Sequence, residues 1–194
     1  FGNFLFTLGI HQSVVNSVVL EPFLLINTNE NMLAFANGQP IPHIINNIFV
    51  PTFGMVGGTG STISLLIAIF IFSRQKSAKQ VARLSLAPGL FNINEPVIFG
   101  LPIVFNLPLM IPFVLLPAIG IYFAWLCTTL GLMSRCVVMI PWTTPPILSA
   151  WLATAGDWRA VVVQLAIIVF GVFFYLPFLK VAERVALKNS GTEH

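Results

Sequence analysis

The sequence predicts an all-α integral membrane protein in which several transmembrane helices are combined with proline-broken re-entrant hairpins. Three observations predict it. Of the 194 residues, 57% are hydrophobic and 8% charged, with a mean hydropathy of +0.92, whereas soluble domains carry about 25% charged residues. The basic residues cluster between apolar stretches, as loop charges that set membrane orientation do. Two of those stretches are interrupted by prolines and polar groups, around Glu95-Pro96 and Pro141 to Pro146. Lipid cannot satisfy the backbone groups such breaks expose, so each break is expected to line a cavity. A net charge of +3 would point to nucleic acid in a soluble domain. Here it belongs to the loops, and no nucleic-acid partner is expected.

Residues Phe1 to Ile26 are apolar but carry Asn3, His11, Gln12, Ser13, Asn16 and Glu21-Pro22, too many hydrogen-bonding groups for a lipid-facing helix. His11 and Gln12 are adjacent, so a loop or helix end is needed for both to face a cavity. A buried His bound to a backbone carbonyl is the alternative. Glu21-Pro22 reads as an interfacial helix break. A chain that opens on Phe1-Gly2-Asn3-Phe4, with no initiator Met or basic leader, is expected to be a piece of a longer protein.

Asn27 to His43 holds four Asn, Glu30 and Pro40-Ile41-Pro42 but no Lys or Arg. It is expected to be a non-cytoplasmic loop with at most a short turn at Met32 to Phe35. Ile44 to Ser73 is long enough to span, with Gly57-Gly58-Thr59-Gly60-Ser61-Thr62 at its middle. No Gly-Lys-Ser/Thr follows, so a phosphate-cradling loop is excluded. Close helix packing or local unwinding beside a ligand is the membrane reading.

Arg74 to Arg83 carries four positive and no negative charges and is expected to be a solvated cytoplasmic loop. Four apolar stretches follow: Leu84 to Phe105, Leu107 to Met133, Val137 to Ala155 and Ala160 to Leu179. The tail adds Lys180, Arg184 and Lys188, so it too is expected in the cytoplasm. An even number of crossings separates the two basic regions: four spans, or two spans and two re-entrant elements. The prolines favour the latter.

Glu95 lies in the first broken stretch. A charge at the bilayer centre costs about 2.5–3.5 kcal/mol on insertion scales, so such a residue is taken as functional. In the second, Trp142 offers a flat face that can stack on a sugar ring, with Thr143 supplying a hydroxyl. An interfacial aromatic anchor is the competing reading. A pair of such interrupted segments points to a transporter binding site near the midplane. Asp157 is expected to cap the last helix. Cys127 and Cys136 show no Cys-x-x-Cys spacing and read as packing residues, with no metal site or cofactor expected.

Gly89 to Pro102, with Pro141-Trp142-Thr143-Thr144-Pro145-Pro146 and Ala155-Gly156-Asp157-Trp158-Arg159, closely resembles the enzyme IIC sugar permeases of bacterial phosphotransferase systems. The branch is that of lactose, cellobiose and diacetylchitobiose. The resemblance runs from end to end of the chain, including Gly9-Ile10-His11, but covers only the substrate-binding part. The N-terminal helices that form most of the family's dimer interface are missing from residues 1–194. It implies a multi-pass protein of the bacterial plasma membrane, homodimeric when complete, with its C-terminus in the cytoplasm. It also implies that a β-linked disaccharide is bound, carried across, and presented at its 6-hydroxyl to a phosphorylated enzyme IIB partner.

On that resemblance Glu95 and His11 are the expected catalytic pair, the carboxylate as base and the imidazole holding the hydroxyl in line. Asn94, Asn92, Trp142, Thr143, Gln12 and Thr59 are the expected sugar-binding residues. Residue types alone leave two rivals: a proton-coupled secondary sugar transporter, since intramembrane Glu and His serve proton relays, and an inactive truncated fragment.

Overall fold

A computed structural model describes residues 16–103 and 106–190. Every regular element among them is helical. A π-helical turn, Asn16–Leu20, leads into α1 (Glu21–Ala36). Then come α2 (Phe49–Gly54), α3 (Thr62–Phe72), α4 (Lys76–Leu90), α5 (Glu95–Gly100), α6 (Leu107–Thr129), α7 (Leu148–Ala153) and α8 (Trp158–Ser190).

Helix α8 organises the rest. It packs along α6 and α3, with α7 and α2 against its first half. The approach to α3 is close because α8 carries Gly171 there. A Cβ at that position would sit 2.5 Å from Ser64 Oγ, whose hydroxyl donates to the Ile168 carbonyl oxygen at 3.1 Å. Two cores result. One joins Leu65, Leu66 and Ile69 of α3 with Val97 and Ile98 of α5, Phe113 of α6 and Val172 and Tyr175 of α8. The other joins Phe49 and Phe53 of α2 with Ala124 and Cys127 of α6, Ala150 and Ala153 of α7 and Val163 of α8.

Among the described residues two helices are long and apolar enough to cross a membrane, Leu107–Thr129 and the Trp158–Ala186 part of α8. Helix α6 runs unbroken through Pro112 and Pro117, both buried. Large apolar side chains such as Leu107, Tyr122, Val162, Val169 and Phe173 remain exposed on these two helices. Faces of that size belong against lipid or further protein.

Three expectations are corrected. Asn27 to His43 is not a loop throughout: α1 runs to Ala36, with Pro22 in the first turn, where its missing donor does no harm. Of the polar residues that suggested a loop, Asn31 turns inward, while Asn29, Glu30 and Asn37 stay exposed. Asn31 is buried, donates to the carbonyl oxygens of His43 at 2.8 Å and Cys136 at 3.1 Å, and accepts the His43 backbone N–H at 2.9 Å. Arg74 to Arg83 is likewise no loop but mostly the start of α4. Ala78, Ala82, Ser85 and Gly89 face inward while Lys76 and Arg83 stay exposed, so the charge is solvated and the backbone is not. Finally, Ala160 to Leu179 is only the middle of α8, which continues through Lys180 and Arg184.

Other readings hold. The glycine-rich middle of Ile44 to Ser73 is an unwound bend between α2 and α3. Asp157 accepts the Arg159 backbone N–H at 3.0 Å at the start of α8, and the Ser134 N–H at 2.7 Å. Cys127 and Cys136 are buried and unpaired, and burial pushes the Cys136 thiol up to about 12.

Candidate functional site

Three interrupted segments meet beside α2: the glycine bend at 55–61, the turn between α4 and α5 at 91–94, and the proline loop at 139–147. Asn92 joins all three. Its Oδ1 accepts the Gly57 N–H at 2.8 Å, and its Nδ2 donates to the carbonyl oxygens of Trp142 at 2.6 Å and Thr144 at 3.1 Å. Its φ of 62° lies in the left-handed region, which Asn tolerates better than most residues. Asn94 adds a second tie, donating to the Thr59 carbonyl oxygen at 2.5 Å. Gly58 makes the approach possible. Its φ is +98°, and a Cβ there would lie 2.6 Å from Asn94 Cγ and 2.7 Å from the Asn92 carbonyl oxygen.

The proline loop is held from its other side by α8. Gln164, 1% exposed, donates to the Thr52 carbonyl oxygen at 2.7 Å and to Ser149 Oγ at 3.0 Å. Its Oε1 accepts the Ile147 N–H at 2.5 Å. Ile147 has φ 74°, a conformation a β-branched residue avoids unless its surroundings impose it. The Gln164 bond is part of what imposes it.

These segments enclose a cavity of about 540 Å³, within the range of small-molecule sites. Ile48, Pro51, Val56, Met139 and Ile140 give it an apolar wall. Asn47, Thr52, Asn92, Thr144, Ser149, Gln164 and Glu21 contribute polar groups, and Trp142, 64% exposed, stands at its edge. Apolar and aromatic walls with a few convergent polar groups are what a neutral, hydroxyl-rich ligand needs.

The sequence-predicted residues divide. Asn92 and Trp142 line this cavity. Asn94 and Thr59 are buried and belong to the tie behind it, and Thr143 is half-buried next to the lining residues Trp142 and Thr144. Glu95 is the first residue of α5, with an exposed side chain, and is not among the described lining residues. His11 and Gln12 lie outside the described residues. Glu21 and Gln164 were not assigned to the site from sequence. Gln164 carried a signal, a lone amide inside an apolar span; Glu21 was masked by its resemblance to a helix break. Among the described residues no group of His, Cys, Asp and Glu could hold a metal ion.

Residues 1–117 match the family described as "Phosphotransferase system, EIIC". The chain belongs to the EIIC family. The cellobiose-specific EIIC component of Lactococcus lactis subsp. lactis is 43% identical over 151 residues, covering 74% of this chain and 31% of that protein. The lichenan permease IIC component of Bacillus subtilis is 34% identical over 186 residues, 95% of this chain and 41% of that protein. Among solved structures, the transporter ChbC superposes with a TM-score of 0.92 at 34% identity, over 97% of this chain and 44% of that one. It is the IIC component of the N,N'-diacetylchitobiose-specific phosphotransferase system. This places the chain in the lactose/cellobiose/diacetylchitobiose branch of EIIC. EIIC proteins are integral membrane sugar permeases, which accounts for the broad apolar faces of α6 and α8. The chain spans well under half the length of each of these relatives.

Proposed function

We propose that residues 1–194 form the substrate-binding part of an EIIC permease that takes up a β-linked disaccharide of the cellobiose, lactose or diacetylchitobiose class. The observation that carries this reading is the cavity of about 540 Å³ between two proline-interrupted segments that Asn92 ties together. Broken apolar segments around a polar cavity are the hallmark of a transporter site, and α4–α5 and the loop leading to α7 are its re-entrant elements. The two long apolar helices then supply the two full crossings between the basic start of α4 and the basic end of α8. Both basic regions lie in the cytoplasm on this reading, and the complete protein is a homodimer.

Trp142 stacks on the sugar while amides and hydroxyls of the wall bond its hydroxyl groups, with Thr143 beside them and Gln12 as a further sugar-binding residue. Glu95 and His11 then act at the 6-hydroxyl. The sugar oxygen attacks the phosphorus held on a cysteine of enzyme IIB, the phosphorus–sulfur bond breaks, and the thiolate leaves. Glu95 takes the hydroxyl proton, and His11 orients the attacking oxygen. Catalysis here is positioning plus charge stabilisation, and it needs neither metal nor cofactor from this chain.

The test is the product. Membrane vesicles with the complete protein should yield phosphorylated disaccharide only when phospho-enzyme IIB is supplied. Accumulation of free disaccharide driven by a pH gradient, with no phosphorylated product, would replace this reading with proton-coupled transport. An absence of both uptake and sugar binding would identify an inactive protein.

A further inference from the structure

Glu21 is the single charged side chain among the described residues that line the cavity. It is the first residue of α1, which continues directly from the π-helical turn Asn16–Leu20. The two ion pairs among the described residues, His43–Glu30 and Arg159–Asp157, lie elsewhere. Neither Lys nor Arg is among the described lining residues, so no cation of the described wall offsets the Glu21 charge.

A neutral sugar and a sugar phosphate differ sharply in such a space. The carboxylate accepts a hydroxyl hydrogen bond from the former, and a charged acceptor makes that bond a strong one. A phosphoryl group, in contrast, brings about 1.5 to 2 negative charges at neutral pH. Like charges held within about 10 Å of each other at the protein surface repel more strongly than in bulk water. We infer that Glu21 sorts substrate from product by charge: the cavity accepts the neutral disaccharide and disfavours the same sugar once phosphorylated. Product release and resistance to product rebinding follow from the same residue. The inference rests on the cavity being the sugar site.

The experiment compares three probes on the complete purified protein: cellobiose, cellobiose 6-phosphate, and the 6-O-methyl ether as a neutral control for size at that position. Dissociation constants are measured for the wild type, Glu21→Gln and Glu21→Asp. The wild type should bind the phosphate at least roughly tenfold more weakly than the ether, the scale of like charges about 10 Å apart at an effective dielectric near 20. Glu21→Gln should close most of that gap by tightening the phosphate, and Glu21→Asp should keep it. An unchanged gap in Glu21→Gln, with cellobiose and the ether still bound, overturns the role of Glu21 and leaves the sugar site standing. Failure of the wild type to bind cellobiose, lactose and diacetylchitobiose alike removes the sugar site, and the inference with it.

Discussion

The side-chain amide of Asn92 donates to the Trp142 carbonyl oxygen at 2.6 Å across fifty residues of sequence. The bond fixes the backbone from which the Trp142 ring projects, so a residue of the first broken segment sets the position of the aromatic group in the second. The same amide oxygen holds the glycine bend through the Gly57 N–H. Asn92 is therefore a positioning residue as much as a wall residue of the cavity.

Replacing it should expose that role. Asn92→Ala removes three hydrogen bonds and puts a Cβ residue without local polar help at φ 62°. With about 1 kcal/mol for each bond and more for orphaned buried groups, a loss of about 2–4 kcal/mol is expected. Asn92→Gly keeps the backbone comfortable and isolates the hydrogen bonds. Both variants should bind cellobiose more weakly than wild type and unfold earlier in detergent. A wild-type unfolding midpoint in Asn92→Gly would show that the amide ties nothing together.

Trp142→Ala should weaken sugar binding by about 1–3 kcal/mol, if a sugar face stacks on indole about as well as a base stacks on an aromatic ring. Trp142→Phe should recover part of the loss. The ring is largely exposed, so folding should be little affected. Titration calorimetry separates the outcomes: unaltered affinity in Trp142→Ala would return this residue to an anchoring role at the membrane surface.

Glu95→Gln should cut the rate of disaccharide phosphorylation by about 10²–10⁴-fold, the usual contribution of a general base. Sugar affinity should fall far less, because the amide still bonds a hydroxyl. The exposed position of Glu95 at the start of α5 also predicts normal folding for this variant. Single-turnover transfer from phospho-enzyme IIB reads the rate directly, and an unaltered rate would take Glu95 out of the proton transfer.

The sequence showed the class of fold plainly because hydropathy and proline placement report it directly. The proline run after Ile140 breaks the chain where expected, whereas the break near Glu95-Pro96 falls just before it, at 91–94, and Glu95 and Pro96 start α5. The fate of polar side chains was harder to read. Asn31 looks like a loop residue, and Gln164 like an unexplained amide in an apolar span, until the carbonyl oxygens they satisfy are known, and those lie 105 and 112 residues away. The basic stretch after Arg74 reads as a loop by its charge, although Ala78, Ala82, Ser85 and Gly89 recur at helical spacing; small inward residues hide that pattern from a reading of large apolar groups. Glu21 shows the same limit within the site. An acidic residue before proline is equally good as a helix start and as a cavity wall, and only the fold brings it to the cavity that Trp142 lines.

Asp157 gives a pH-dependent prediction outside the spanning helices. Burial raises its pKa, but bonds from Arg159 and from the Ser134 backbone outweigh that, and the value falls from 3.8 to about 2. A folded value below the unfolded one stabilises the protein fully above pH 4, and the contribution disappears as pH falls towards 2. The size is about 2 kcal/mol, from roughly 1.36 kcal/mol per pKa unit. Asp157→Asn retains a capping side chain but cannot titrate. It should be less stable than wild type at pH 6, and the two stabilities should converge as pH drops from 4 to 2. Detergent unfolding followed across that range measures the difference, from which the other carboxylates, common to both proteins, cancel. A stability gap that stays constant down to pH 2 would mean that the Asp157 charge contributes nothing and that its loss acts through packing or capping alone.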